Sequence, residues 1–294
     1  VGGKRFGSFT SFTWSDFDDL KSGTKQNPFY DGNVGERFSY VDHSGAKDTI
    51  IGNNNPEKQI YSGYSQYNIF QKFLFKQNKR VSHQLSCFYT SSSDIPRYDR
   101  LTDVNKKGKL KFAEWYYGPQ ELLLAQYKLT RSNDSAFFKN VSFSTHYQNV
   151  VESRHDRKFD DPIRNNRTET VQILGANIDV NRSTAKYSLR SGIDFIYNDL
   201  TSSAYALDVQ TGEKSSLSTR YPDGKNQLYS SGVYVSHNKF ISQKLILNDG
   251  ARIGYSNISS SASNNYFNLP ETGVVQKNVI YAASLGLNCL PREE

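Results

Sequence analysis

Ten segments of this chain alternate polar and apolar residues with a period of two, and the connections between them alternate in length. Together these two regularities leave few folds open. The segments are 4–14, 58–75, 80–90, 119–131, 135–151, 168–180, 184–197, 227–239, 243–256 and 276–287. In 184–197, Tyr187, Leu189, Ile193, Phe195 and Tyr197 share one face, while Lys186, Ser188, Arg190 and Asp194 share the other. In 135–151, Phe137, Val141, Phe143, Tyr147 and Val151 oppose Asn140, Ser142, Ser144, His146 and Gln148. Successive side chains of a strand point to opposite faces, so each segment predicts a strand with one apolar and one polar face. Four connections are tiny: 76–79, 132–134, 181–183 and 240–242. Five are long: 15–57, 91–118, 152–167, 198–226 and 257–275. Alternate connections of an up-and-down meander lie at the same end of the sheet. Tight turns therefore collect at one end and long loops at the other.

Strand length narrows the choice further. A strand that crosses a membrane needs roughly 9–11 tilted residues, whereas strands of soluble domains average about 5–6. The pattern predicts an all-β fold: an antiparallel up-and-down meander of about ten long strands, forming a partial transmembrane β-barrel. Its polar face lines the lumen and its apolar face meets lipid, with tight turns on the periplasmic side and long loops outside. Hydrophobic residues make up only 36% of the chain, which a polar lumen explains, yet aromatics reach 14%. Phe12, Trp14, Phe73, Phe75, Phe88, Tyr89, Tyr197, Tyr229 and Tyr255 fall near segment ends, where interfacial girdles sit. Asp249 is out of place, in phase with Leu247, Ala251 and Ile253 on the apolar face. It predicts either a bulge or a position near an interface. No apolar run reaches the roughly 18 residues of a membrane helix. The net charge of +7 is spread among Asp and Glu without a basic tract, so no nucleic-acid partner is expected. Cys87 and Cys289 are too few for a disulfide framework.

Two stretches resemble a known family. The first is Gly2-Gly3-Lys4-Arg5-Phe6-Gly7-Ser8-Phe9-Thr10-Ser11-Phe12 with the following Ser15-Asp16-Phe17-Asp18-Asp19-Leu20. The second is Ser93-Asp94-Ile95-Pro96-Arg97-Tyr98-Asp99-Arg100-Leu101. Both look like strand and loop sequences of TonB-dependent outer-membrane receptors, of the Bacteroidota-type haem and siderophore branch. The resemblance implies a bacterial outer-membrane location and uptake of a metal chelate such as haem or a ferric siderophore. It further implies outer-membrane lipid and lipopolysaccharide as surroundings, and energy from the TonB complex through a plug domain. The 294 residues contain no plug-like region, lack Met and open on Val1. Residues 1–294 are therefore expected to be a processed or truncated piece of such a barrel.

Candidate binding residues lie in the expected outer loops. Arg97 and Arg100 flank Tyr98, and guanidinium forks bind carboxylates or phosphates. Tyr116 and Tyr117 can stack on a planar ligand. His43 and His155 can ligate haem iron, although a solvated loop histidine is the simpler reading of each, as packing of the loop is for the arginines. No catalytic residue, resident metal or cofactor is expected. The alternatives are a ten-stranded barrel protease and a passive structural barrel or adhesin. A protease needs a poised Asp–His pair, but His155 and Asp156 are strand neighbours that point apart.

Overall fold

The computed structural model describes residues 2–23, 29, 35–44, 47–133, 138–263 and 273–289. In chain order these form β1 (Phe6–Phe17), a hairpin of β2 (Ser39–Asp42) and β3 (Thr49–Gly52), β4 (Tyr64–Lys76), β5 (Val81–Ser92) and β6 (Ile95–Pro96). A one-turn helix α1 (Tyr98–Leu101) precedes β7 (Phe112–Tyr117), β8 (Glu121–Ser132), β9 (Asn140–Lys158), β10 (Ile163–Ser183) and β11 (Tyr187–Asp208). The chain ends with β12 (Lys214–Ser216), β13 (Asn226–Phe240), β14 (Leu245–Ser261) and β15 (Gly273–Cys289). Ten long strands pair in the order β1-β4-β5-β8-β9-β10-β11-β13-β14-β15, and every adjacent pair is antiparallel. Each of the ten expected segments overlaps one of them. β1 and β15 do not pair with each other, so the sheet is a wall with two open edges.

The two faces of the wall differ as the alternation predicts. Leu174, Ile178, Ile193, Phe195, Val233, Val235 and Ile253 are exposed on one face. On the other, Asp179 accepts hydrogen bonds from Asn177 Nδ2 at 2.7 Å, Arg190 Nη2 at 3.1 Å and the Tyr234 hydroxyl. Arg252 forks onto Asp194 beside them. None of the described side chains is fully buried. A wall one sheet thick has no interior, so its apolar side chains stay exposed on one face. Tyr187 and Tyr197 lie ten residues apart on β11. At about 3.3 Å per residue and a tilt of about 40°, that places them about 25 Å apart along the membrane normal, the height of an apolar barrel band.

Close packing on the lumen face falls on glycine. A Cβ on Gly175 would lie 2.2 Å from the His146 ring, and one on Gly192 would lie 2.6 Å from both the Ile178 carbonyl and the Tyr234 hydroxyl. Each glycine makes room for a large polar side chain of the neighbouring strand.

The expected loops need correction. Stretch 152–167 is no long loop: β9 and β10 run through it and only residues 159–162 connect them. Here both faces are polar, with Glu152, Arg154, His155, Asp156, Arg157 and Lys158 in succession. The strand continues where the alternation stops, held by backbone pairing rather than by an apolar face. For the same reason β11 runs to Asp208 and β14 to Ser261. Loop 91–118 holds β6, α1 and β7, and loop 15–57 holds β2 and β3. Part of segment 135–151 and the middle of loop 257–275 lie outside the described residues. Asp249 does not mark a bulge: the β13–β14 register is continuous, and His237 Nδ1 donates to Asp249 Oδ1 across the strands at 2.9 Å.

Candidate functional site

The candidate site is built where β9 changes partner. β9 pairs with β8 up to Val151 and with β7 from Arg154. Gly118, at φ +107° with the Ser93 carbonyl 2.8 Å from where its Cβ would be, makes the sharp exit from β7 that allows this. β7 then alternates like any strand. Glu114 and Tyr116 face one way, toward Arg157 and His155; Trp115 and Tyr117 face the other, toward Asp156 and Arg154.

On the first face, the Tyr116 ring stacks on the His155 imidazole at 4.6 Å and 19°. His155 Nδ1 is hydrogen-bonded to Asn166 Oδ1 at 2.7 Å. Burial pushes the Tyr116 hydroxyl up to about 12. Beside it, partial desolvation raises the carboxyl of Asp94, although His155 and Arg164 nearby oppose the shift. A cavity of about 720 Å³ opens here, lined among others by His43, Tyr61, Asp94, Glu114, Tyr116 and Arg164. A second, of about 1070 Å³, lies beyond His43, Glu114 and Arg164, which line both.

The partition between the cavities is an ion cluster. Arg157 forks onto Asp48 with two bonds of 2.8 Å and donates through Nε to Glu114 at 2.6 Å. Arg164 reaches the other oxygen of Glu114 at 3.3 Å, and the Asp160 amide donates to Asp48 at 2.9 Å. The side chains of Arg157 and Asp48 are only 7% and 5% exposed. The cluster ties the β2–β3 hairpin to the β9–β10 hairpin.

The second face holds a cation–aromatic stack. Trp115 and Tyr117 meet edge to face at 5.1 Å. Arg97 lies 5.0 and 5.2 Å over their rings, and Arg154 lies 5.4 Å over each. Arg97 also forks onto Asp99 at 2.7 and 2.6 Å and donates to the Tyr117 hydroxyl at 2.6 Å.

The structure therefore divides the expected site residues into three groups. Tyr116 and His155 stack, with His43 across the same cavity. Arg97 and Tyr117 join in the stack on the opposite face. Tyr98 and Arg100 lie on α1, both exposed, with Arg100 3.4 Å from Asp103. His155 stands on β9 and Tyr116 and Tyr117 on β7, not in loops. His155 and Asp156 do point apart: one bonds Asn166, the other Asn165 and Arg167. Sequence reasoning missed Asp48, Glu114, Arg157 and Arg164. For Arg157 the signal was the run of charges in 152–158, which reads as a loop until the strand is seen to continue; Asp48, Glu114 and Arg164 come from other stretches and meet it only in the fold. Among the described residues no group of three or more His, Cys, Asp or Glu is placed to hold a metal.

No protein-family model and no curated protein matches the chain. Solved structures do. The copper transporter OprC superposes with a TM-score of 0.67 at 11% identity, over 97% of this chain and 39% of its own. The FrpB iron transporter from Neisseria meningitidis gives 0.66 at 14%, over 99% and 41%. The ferric yersiniabactin uptake receptor FyuA from Yersinia pestis gives 0.54 at 7%, over 98% and 39%. At these identities the likeness is one of fold. These structures are TonB-dependent receptors, and the chain has the fold of part of such a β-barrel. It spans about two fifths of their length.

Proposed function

We propose that this chain is part of the barrel wall and outer face of a TonB-dependent receptor that carries a metal chelate across a bacterial outer membrane. The observation that carries this reading is the open ten-strand wall, apolar outside and polar inside, matched over nearly its whole length by barrels of copper and iron transporters. On this reading the TonB complex acts through a plug domain outside these 294 residues. The rim beyond the lipid band captures the ligand, a haem or ferric siderophore.

Within the rim, the cavity beside Tyr116 supports capture best. It has the several hundred Å³ that small-molecule sites occupy. It also offers a ring face on Tyr116 and an imidazole on His43. Arg97 is less suited than its sequence suggests, since Asp99 and Tyr117 already hold its guanidinium. Tyr98 and Arg100 remain candidates on the exposed side of α1. The test is uptake by the intact receptor in iron-limited cells supplied with haem or a ferric catecholate. Replacing His43 and Tyr116 with Ala should depress uptake and leave the amount of barrel in the outer membrane unchanged. Uptake equal to the parent would remove the cavity from the transport path.

A further inference from the structure

The opposite end of the wall carries a polar strip on its lipid-facing side. Arg182 is on the last turnward stretch of β10, with the phase of Leu174 and Ile178. Its guanidinium lies 5.5 Å over the Tyr187 ring. Tyr187 is 5.9 Å from the His237 ring, and His237 holds Asp249 at 2.9 Å. Lys239 pairs in register with Tyr187 and sits two residues from His237 on the same face. All five point away from the lumen, beside the exposed Val235, Leu285 and Leu287. Among the described residues Arg182 and Lys239 enter no ion pair, and Asp249 uses one oxygen on His237, leaving the other.

A carboxylate and two cations on a lipid-facing surface need charged partners, and an isolated charge facing hydrocarbon is costly. The strip lies level with Tyr187, at the edge of the 25 Å band, where headgroups are. Its charges are ordered: two cations bracket Tyr187, and one carboxylate stands diagonally across the strand pair from Lys239. Diagonal neighbours on one face are about 7–8 Å apart. We propose that this strip binds the headgroup of a zwitterionic phospholipid. Lys239 and Arg182 take the phosphate, and Asp249, oriented by His237, takes the ammonium of phosphoethanolamine. Phosphatidylglycerol would satisfy the cations but offer Asp249 a neutral glycerol in place of an ammonium; a choline headgroup has no N–H to donate to it.

The proposal rests on reading this face as the membrane face, and the experiment separates the two. The full chain is folded into detergent micelles, its β-structure checked by circular dichroism, and mixed with phosphatidylethanolamine, phosphatidylglycerol or phosphatidylcholine. Bound lipid is counted by native mass spectrometry. The parent should retain phosphatidylethanolamine about two- to fivefold more than either competitor, the range of exposed charge pairs. The near-isosteric Asp249→Asn should erase the preference over phosphatidylglycerol, while Arg182→Ala with Lys239→Ala should lower retention of all three. Equal retention of the three lipids by the parent, or an Asp249→Asn profile like the parent's, overturns the headgroup site and leaves the membrane reading standing. A parent chain that stays folded and monodisperse without detergent overturns both.

Discussion

Replacing Asp48 with Ala should open the outer rim without unfolding the wall. Asp48 accepts both arms of the Arg157 fork at 2.8 Å and the Asp160 amide at 2.9 Å. Both side chains are more than nine-tenths buried. Breaking a buried ion pair by removing one partner costs about 3–5 kcal/mol, because the other charge is left in a poor solvent. Arg157 would keep Glu114, so the lower end applies, about 3 kcal/mol, or roughly a hundredfold in an opening equilibrium. The loss should be local. Among the described residues Asp48 links the β2–β3 hairpin, a separate two-stranded sheet, to Arg157 at the end of β9 and to Asp160 in the turn that follows. Hydrogen exchange on the folded chain in micelles reads this directly. The amides of Ser39–Asp42 and Thr49–Gly52, with that of Asp160, should exchange roughly a hundredfold faster, while those of β13 and β14 stay as in the parent. Unchanged exchange in the hairpin would mean that the ion cluster does not hold it. Equal acceleration in β13 and β14 would mean that the rim and wall unfold together; either result refutes the reasoning.

Three further outcomes follow from named contacts. Gly192→Ala should cost about 1–3 kcal/mol, because the new Cβ meets a backbone carbonyl at 2.6 Å; Gly175→Ala should cost less, because the His146 ring can swing away. Comparing their urea midpoints in micelles checks the order. Cys87 shares the lipid-facing phase of Leu85 and Tyr89 on β5, so in a Cys289→Ser background reconstituted into vesicles it should resist a sulfonated maleimide and react once the chain is unfolded in urea. Asp94 binds its proton more tightly when folded, so its contribution to stability is full below the ordinary carboxylate range and is lost as pH rises through its raised value. Asp94→Asn should therefore raise the melting temperature at pH 7 and leave it unchanged at pH 3, and an equal shift at both would exclude the desolvation account.

The wall was legible in the sequence because its physics is local. Within the lipid band each residue faces either hydrocarbon or water, so Tyr187 to Tyr197 had to alternate. The rim was legible only in part, because that constraint ends there. Glu152 to Lys158 shows no apolar face, yet β9 continues, held by β10 on one side and β7 on the other. Helix α1 is a single turn, too short for a periodic signal. The stacking of Tyr116 on His155 depends on a strand exchanging partners between Val151 and Arg154, and no residue near either position announces it. Asp249 was the reverse case: its oddity was visible, but its answer, His237, lay on another strand at a register only the pairing supplies.

The unbroken length of β9 has a mechanical consequence. His155, under the Tyr116 ring, and His146, over Gly175 in the lumen, are nine residues apart on one strand. That is about 30 Å of backbone, bonded to neighbours on both sides along most of its course. Such a strand resists bending and behaves as a beam anchored in the wall. A molecule pressing Tyr116 against His155 would load the outer end of that beam, with no slack loop between to absorb the force. The strain would reach the lumen where His146 stands, so arrival at the rim and packing inside the barrel would be joined by a rigid strut.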